Sequence, residues 1–158
     1  IDLRVVVNEV VESVAASIAA KKIQLYQETG EEIGFVSGDT ERLRQAVWNL
    51  LSNAVKFTPE GGQIEIHLTR AGNYARLKIY DSGAGISPEF LPYVFDSFRQ
   101  AEENGNRHGL GLGLAIVRHL IEAHGGTVTA HSAGLNLGAT FTIELPLLET
   151  DAEDCRKS

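Results

Sequence analysis

Three polar side chains on one predicted helix are the residues best suited to chemistry in this 158-residue chain. Asn49, Asn53 and Lys56 are four and three residues apart, a spacing that puts them along one side of an α-helix. A separate apolar arc on the same helix can pack on a core: Leu43, Ala46, Val47, Leu50, Leu51 and Ala54. Amide oxygens can bind Mg²⁺ and an ammonium can bind phosphate, so the polar stripe favours a metal ion and phosphate groups.

A second candidate is the turn Asp81-Ser82-Gly83-Ala84-Gly85-Ile86, which directly follows a predicted strand. A carboxylate at a strand end can accept a hydrogen bond from an exocyclic amine, and glycines let a flat ring approach the backbone. Asp81 would therefore favour adenine over guanine, whose carbonyl oxygen it would repel. Taken alone, the same residues also fit an ordinary acidic turn.

A third candidate is the glycine-rich segment from Gly109 to Leu114, which leads into a predicted amphipathic helix ending near Gly125. Such a turn presents backbone N–H groups at the positive end of the helix dipole, where an anion can bind. The segment lacks the Gly-Lys-Ser/Thr of a Walker loop, and it follows a polar loop rather than a strand. Residues 101–108 cannot bury themselves, so we expect a mobile segment, with a free linker as the alternative.

Helices and strands must bring these three segments together. Hydrophobic periodicity predicts, in order, an extended start near Leu3, a helix over 7–18, strands over 23–27 and 31–38, and the helix that begins at Asp39 or Thr40 and ends at Thr58-Pro59. A hairpin over 64–81 with a Gly72-Asn73 turn follows, then a short helix from Ser87 and a final hairpin over 127–133 and 139–145 that Pro146 ends. Strands with one apolar face need a covering layer, which the amphipathic helices can supply.

Composition limits the classes of function. An apolar fraction of 43% and a length of 158 residues suit one globular core, which we assign to residues 1–146, with 147–158 as a polar tail or linker. A net charge of −7 without a Lys/Arg cluster argues against nucleic acid as a partner. No apolar run approaches membrane-spanning length, so we expect no direct membrane contact. The single cysteine, Cys155, fits a reducing, cytoplasmic location.

The order of the motifs resembles the catalytic ATP-binding domain of sensor histidine kinases, in the superfamily that also holds gyrase, heat-shock chaperone and mismatch-repair ATPases. The matching motifs are Asn-x₃-Asn-x₂-Lys from Asn49, Asp-x-Gly-x-Gly-Ile from Asp81, Phe-x₂-Phe from Phe95 and Gly-x-Gly-x-Gly-Leu from Gly109. The resemblance covers about Leu3 to Pro146. It implies an α+β fold: a two-layer α/β sandwich with a mixed, mostly antiparallel sheet of about five strands, covered on one face by about three helices.

The resemblance also implies how ATP and Mg²⁺ would bind. Asn53 would be the Mg²⁺ ligand, assisted by Asn49, while Lys56 would contact a phosphate and Phe57 would pack beside the nucleoside. Asp81 would bind the adenine amine. Three further residues would shape the base pocket: Gly83, Gly85 and Ile86.

Further roles follow from the same resemblance. Thr140 would support Asp81, in one interpretation through a water molecule. Residues 100–110 would form a mobile ATP lid, and backbone N–H groups would close on the phosphates around Gly109, Leu110, Gly111, Leu112 and Gly113. Either Arg99 or Gln100 would contact the γ-phosphate, and with Lys56 they are the predicted catalytic residues.

Position 49 distinguishes the branches of the superfamily. Members that hydrolyse ATP carry a glutamate four residues before the metal-binding asparagine, where it can deprotonate water. Asn49 cannot take a proton, so we predict feeble ATPase activity and transfer to a histidine, whose neutral imidazole already has a free lone pair. Two alternatives stay open: a pseudokinase that binds nucleotide without chemistry, and a stand-alone ATPase.

The phospho-accepting histidine of such kinases lies on a separate dimerisation domain. No histidine precedes Asp39, and the chain contains no methionine, so we expect a fragment of a longer protein. The implied partners are the dimerisation domain of the same parent and a response regulator. The fragment by itself is expected to be a monomer that does not phosphorylate itself, and whether the parent is anchored in a membrane stays open.

Overall fold

The computed structural model describes residues 1–96 and 110–148, except for the side chains of residues 110–112. Its elements are, in chain order, α1 (Leu3–Ala20), β1 (Gln24–Thr29), α2 (Thr40–Phe57), β2 (Gln63–Ala71), β3 (Tyr74–Asp81), a short 3₁₀ helix (Leu91–Tyr93), α3 (Leu110–Ala123), β4 (Thr127–His131) and β5 (Ala139–Pro146). Three α-helices and five strands are therefore described, which matches the predicted fold.

The five strands form one mixed sheet in the order β1-β2-β3-β5-β4. β1 runs parallel to β2, and the other three pairings are antiparallel. Burial alternates along β2, β3 and β5, so one face of the sheet carries the apolar side chains and the other is more open. The two-layer α/β sandwich predicted from the sequence is confirmed.

The helices cover the apolar face, with α2 in contact with both α1 and α3. The apolar arc of α2 is buried as its spacing predicts, and Leu50 and Leu51 are at most 1% exposed. Burial of one such side chain contributes roughly 1.5–3 kcal/mol. Because α2 lies between the other two helices, its polar stripe is held at a fixed position relative to the sheet and to α3.

The N-terminal segment differs from its prediction. Helix α1 already begins at Leu3, where an extended start was expected, because the side chain of Asp2 caps it by accepting the Arg4 backbone N–H. The hydrogen bond from the Arg4 side chain holds the pKa of Asp2 below its ordinary value. The strand predicted over 31–38 is also wrong, because only Val36 makes a bridge, to Leu147.

Two other elements have boundaries that differ from the prediction. The short helix expected from Ser87 is a 3₁₀ turn over Leu91–Tyr93. Helix α3 begins at Leu110, so Gly111 and Gly113 lie within its first turn instead of in a loop before it. Most of the predicted lid, residues 100–109, lies outside the described residues.

The chain beyond Pro146 stays attached for at least two residues. Leu147 N–H donates to Asn73 O (2.8 Å) and Leu148 N–H donates to Phe35 O (2.9 Å). Leu147 is also buried. Residues 149–158, which make up most of the predicted tail, lie outside the described residues. Within the described part of the chain, no helix combines the length and the apolar character that a membrane crossing needs.

Candidate functional site

Helix α2 positions the polar stripe because both of its ends are fixed. At the start, Asp39 accepts hydrogen bonds from the backbone N–H groups of Glu41 (2.9 Å) and Arg42 (3.3 Å). At the other end, Lys21 Nζ donates to the carbonyl oxygens of Val55 (2.7 Å) and Lys56 (3.2 Å). These contacts satisfy backbone N–H and carbonyl groups that a helix end leaves without partners. Helix α2 ends at Phe57, and Thr58 is its C-cap residue.

The predicted stripe is present on α2. Asn49 and Asn53 are half-buried, and Lys56 is exposed. Lys56 Nζ lies 5.2 Å from the centroid of the Phe57 ring, so the ammonium and the aromatic face are neighbours. An ammonium, an aromatic ring and two amides therefore share one end of the domain.

Asn53 has the most unusual environment of the stripe. Its Nδ2 is buried and has no hydrogen-bond partner within residues 1–96 and 110–148. Buried polar groups nearly always find partners, and each exception calls for an explanation. A Cβ placed on Gly113 would lie 3.8 Å from this Nδ2, so the first turn of α3 faces the Asn53 amide. The first N–H groups of an α-helix have no partner within the helix and attract negative charge.

The carboxylate of Asp81 lies at the end of β3. Asp81 is 1% exposed, and its Oδ1 accepts the Gly83 backbone N–H at 3.0 Å. The strand end thus holds the side chain in a tight turn on the covered face of the sheet. Ile86, five residues later, is equally buried. A buried carboxylate at a strand end is well placed to select a hydrogen-bond donor on a flat ring.

The glycines after Asp81 are required by the protein backbone itself. A Cβ on Gly83 would overlap the carbonyl oxygen of Phe57, at the end of α2. Gly85 has a φ of +69°, and a Cβ there would overlap the carbonyl oxygen of Gly134. The sequence suggested that these glycines admit a ligand ring. The structure gives a different reason, the close approach of α2 on one side and of the β4–β5 connection on the other.

Thr140 does not support Asp81, contrary to the prediction. In the β3–β5 ladder Asp81 lies opposite Ala139, and Thr140 lies opposite Tyr80. Side chains of successive strand residues point to opposite faces, so Thr140 is on the open face of the sheet. A shift of one residue in register is enough to cause this error.

The β4–β5 connection contributes residues that the sequence did not single out. Asn136 N–H donates to Ala84 O (2.7 Å), and Gly138 N–H donates to Gly83 O (3.2 Å). Ser132 Oγ accepts the Ile86 N–H at 3.0 Å. The glycines at both ends of the connection signalled a turn, but no local pattern indicated which distant loop the turn would contact.

A cavity of about 450 Å³ joins several of these elements, with Lys56, Phe57, Gly83, Ala84 and Asn136 among its lining residues. A larger cavity, about 690 Å³, lies between α1 and α2 around Trp48 and contains no predicted site residue. The smaller cavity joins the end of α2 to the loop after Asp81, and neither Asn53 nor Asp81 is among its lining residues.

The remaining predicted residues divide into two groups. Arg99, Gln100 and Gly109 lie outside the described residues. Leu110, Gly111 and Leu112 form the start of α3, but only their backbone is described. Phe95, the first aromatic of the Phe-x₂-Phe motif, packs edge-on against Phe141 at 6.1 Å between ring centroids.

Fold and site together define a nucleotide-binding domain of the ATPase type: one sheet covered by three helices, with amides, an ammonium, a helix start and a buried carboxylate at one end. The chain belongs to the family described as histidine kinase-, DNA gyrase B- and HSP90-like ATPase, which matches residues 38–149, and within it to the catalytic domains of sensor histidine kinases. The resemblance inferred from the motifs is thereby confirmed.

Individual relatives support this placement. The chain is 35% identical to hybrid signal transduction histidine kinase D of Dictyostelium discoideum, over 94% of this chain and 12% of that protein. It matches the solved catalytic domain of histidine kinase ThkA with a TM-score of 0.80 and 30% identity, over 91% of this chain and 93% of that one. It also matches ThkA in a complex with the response regulator TrrA, with a TM-score of 0.79, 28% identity and coverage of 96% and 42%.

The chain is short beside the curated relatives. It spans less than a third of the length of those it matches, for example 12% of the Dictyostelium kinase and 27% of the sensor histidine kinase TrcS of Mycobacterium tuberculosis. What the whole protein phosphorylates and binds is therefore a matter for proposal.

Proposed function

We propose that this chain binds ATP with Mg²⁺ and delivers the γ-phosphoryl group to a histidine on a separate dimerisation domain. The observation that carries the proposal is the buried Asn53 amide, without a hydrogen-bond partner among the described residues and facing the start of α3. Family membership supports ATP as the nucleotide. The Mg²⁺ ion, the acceptor histidine and the roles of individual residues are the proposed parts of this function.

Asn53 fits the requirements of a Mg²⁺ ligand. Magnesium prefers oxygen ligands, and in nucleotide sites it is held by one or two side chains together with phosphate oxygens and water. The Asn53 Nδ2 makes no hydrogen bond among the described residues, and the assignment of oxygen and nitrogen in an amide follows its partners. Asn49, one turn earlier, would assist. When bound, the metal ion would neutralise charge on the transferring phosphate.

The other residues would bind and orient the nucleotide. Lys56 would contact a phosphate, and Phe57 would pack beside the nucleoside. Asp81 would accept the hydrogen bond of the adenine amine in a pocket shaped by the loop after it and by Ile86. The N–H groups around Gly111 and Gly113 would bind phosphate oxygens at the start of α3. Arg99 or Gln100 would contact the γ-phosphate.

The chemistry at position 49 favours transfer over hydrolysis. The Asn49 side chain lacks the carboxylate that a general base for water requires. The imidazole of a neutral histidine needs no such base, because its nitrogen lone pair can attack phosphorus directly. Orientation and charge neutralisation then supply most of the rate enhancement.

Partners and location complete the proposal. The dimerisation domain of the same parent would supply the histidine, and a response regulator would receive the phosphoryl group afterwards. ThkA, a relative of similar fold, was solved with its response regulator TrrA, which supports that class of partner. A cytoplasmic location fits the single cysteine and the use of ATP.

The test combines the chain with a separately produced dimerisation domain and Mg²⁺·ATP, then measures acid-labile phosphohistidine. We expect labelling of the dimerisation domain that disappears in the Asn53→Ala variant and in the presence of a chelator. Tight ATP binding without labelling would contradict transfer and favour a pseudokinase. Steady ATP turnover by the chain alone would favour a stand-alone ATPase.

A further inference from the structure

We infer that Ser132 is a positioning residue of the base pocket and that its hydroxyl group, by holding the loop after Asp81, contributes to the selectivity of the site for an adenine nucleotide. The inference rests on the proposed function, because it assumes that the base binds beside Asp81 and Ile86. Ser132 lies directly after β4 and is half-buried. It takes no part in the chemistry attributed to the stripe on α2.

The base loop, defined here as residues 82–86, is held from two sides. From α2, Phe57 O accepts the Ala84 N–H at 3.1 Å. From the β4–β5 connection, Asn136 N–H and Gly138 N–H donate to the carbonyl oxygens of Ala84 and Gly83. The contact at the far end of the loop, to the Ile86 N–H, comes from the hydroxyl of Ser132.

The Ser132 hydroxyl contacts the backbone of three residues, Ile86 in the base loop and Gly134 and Gly138 in the β4–β5 connection. Its oxygen accepts the N–H groups of Ile86 (3.0 Å) and Gly134 (3.2 Å). Its proton can be donated to Gly138 O at 2.7 Å, a shorter contact than the 3.3 Å to Gly134 O. A hydroxyl has one donor and two acceptor positions, so this arrangement uses its whole capacity.

These contacts connect the hydroxyl to Ile86 on one side of the base pocket and, through Gly138, to the strand pair that contains Asp81 on the other. Ile86, whose N–H it binds, is 1% exposed and ends the base loop. Gly138, whose carbonyl it binds, directly precedes Ala139, the residue opposite Asp81 in the β3–β5 ladder. Loss of the hydroxyl would leave two backbone N–H groups without this acceptor, and the loop would shift to find water or another partner.

Two features separate this role from a general contribution to stability. The hydroxyl acts at the base end of the site, whereas the phosphates would bind at α2 and α3. Removal of the hydroxyl should therefore weaken ATP binding and leave the binding of a phosphate chain without a base unchanged. Replacement by threonine keeps the hydroxyl and should restore the selectivity.

The experiment measures the affinities of the full 158-residue chain for Mg²⁺·ATP, Mg²⁺·GTP and Mg²⁺·tripolyphosphate by calorimetry. For Ser132→Ala we expect about tenfold weaker ATP binding, a smaller ATP-to-GTP preference and unchanged tripolyphosphate binding. Ser132→Thr should resemble the wild type. The matched control is Ser13→Ala, which removes a hydroxyl that donates to Val10 O within α1.

A second readout needs no nucleotide. In Ser132→Ala the Ile86 amide should exchange with solvent at least about tenfold faster, because its acceptor is gone. If the alanine variant does not fold, Ser132→Cys preserves the volume with a weaker hydrogen-bonding group and replaces it in both measurements. Unchanged ATP affinity and unchanged Ile86 exchange in the folded variant would overturn the inference. A wild-type chain that binds no ATP would overturn the proposed function as well, and so the two failures can be told apart.

Discussion

The two ends of the candidate site are built differently. In the base loop, residues 82–86, the N–H groups of Gly83, Ala84 and Ile86 all have acceptors within the protein. On the phosphate side, defined as Asn53 with the first turn of α3, the buried Asn53 Nδ2 has no partner in the described part of the chain. The base end is completed by folding, whereas the phosphate side keeps polar groups that a ligand can use.

This difference has an energetic consequence. A buried polar group without a partner costs roughly 1–3 kcal/mol of stability, and backbone N–H groups that have acceptors avoid that cost. Substitutions at the base end should therefore change stability and binding together. Substitutions on the phosphate side should change binding while stability stays constant or rises, as is common where function opposes stability.

The largest effect is expected for Asn53→Ala. Loss of the proposed metal ligand should weaken Mg²⁺-dependent ATP binding about 100-fold or more. The free energy of unfolding should stay within about 1 kcal/mol of the wild-type value or rise, because the removed Nδ2 makes no hydrogen bond among the described residues. Calorimetric titration and chemical denaturation measure the two quantities. A control is Asn8→Ala, which removes an exposed amide whose oxygen accepts a hydrogen bond from Gln27. Strong destabilisation by Asn53→Ala would contradict the difference proposed between the base end and the phosphate side.

Gly83→Ala tests the base end. The new Cβ would overlap Phe57 O, so either the base loop or the end of α2 must move. We expect a loss of about 2–3 kcal/mol of stability, accompanied by weaker ATP binding. Thermal and denaturant unfolding give the first value and calorimetry the second. A variant as stable as the wild type would show that the loop is not fixed by this close approach.

Asp81→Asn should have a smaller and more selective effect. The asparagine oxygen can still accept the Gly83 N–H, so the turn and the fold should persist. Loss of the carboxylate should weaken ATP binding by about 2 kcal/mol, roughly 30-fold. The ratio of ATP to GTP affinity should fall in parallel. An unaltered ratio would remove Asp81 from base recognition.

The smallest effect is predicted for Gly113→Ala on the phosphate side. Alanine favours a helix over glycine by up to about 1 kcal/mol, so α3 should become more stable. A Cβ at this position has ordinary contact distance, 3.8 Å, to Asn53 Nδ2 and faces the proposed phosphate site. We therefore expect higher thermal stability with modestly weaker ATP binding. Lower stability would contradict the contrast with Gly83→Ala.

Long periodic elements were predictable from the sequence. The apolar arc and polar stripe of α2, and the hairpin of β2 and β3, follow from local spacing that the packed structure preserves. The strand expected around Ile33, Phe35 and Val36 is absent: Ile33 and Val36 are buried in the core and Phe35 is exposed, but this segment pairs only through the Val36–Leu147 bridge. A short apolar run does not reveal whether a neighbouring strand exists.

Details that depend on tertiary contacts could not be predicted. The role of Thr140 was implied by the family resemblance, and the register of β3 and β5, which no local pattern fixes to one residue, places Thr140 opposite Tyr80 instead of Asp81. Ser132 was missed because its partner Ile86 is 46 residues away, and a serine after a strand has no distinctive signal. The site could be located from motifs, but the contacts that hold its base loop required the structure.

The most direct test of the account is a calorimetric titration of the wild-type chain with ATP, first with Mg²⁺ and then with a chelator. We predict saturable binding that weakens at least about tenfold when Mg²⁺ is removed, because Asn53 would bind phosphate through the metal ion. Adenosine, which has no phosphates, should bind weakly and equally under both conditions. Absence of saturable ATP binding, or binding of the same strength without Mg²⁺, would contradict the account.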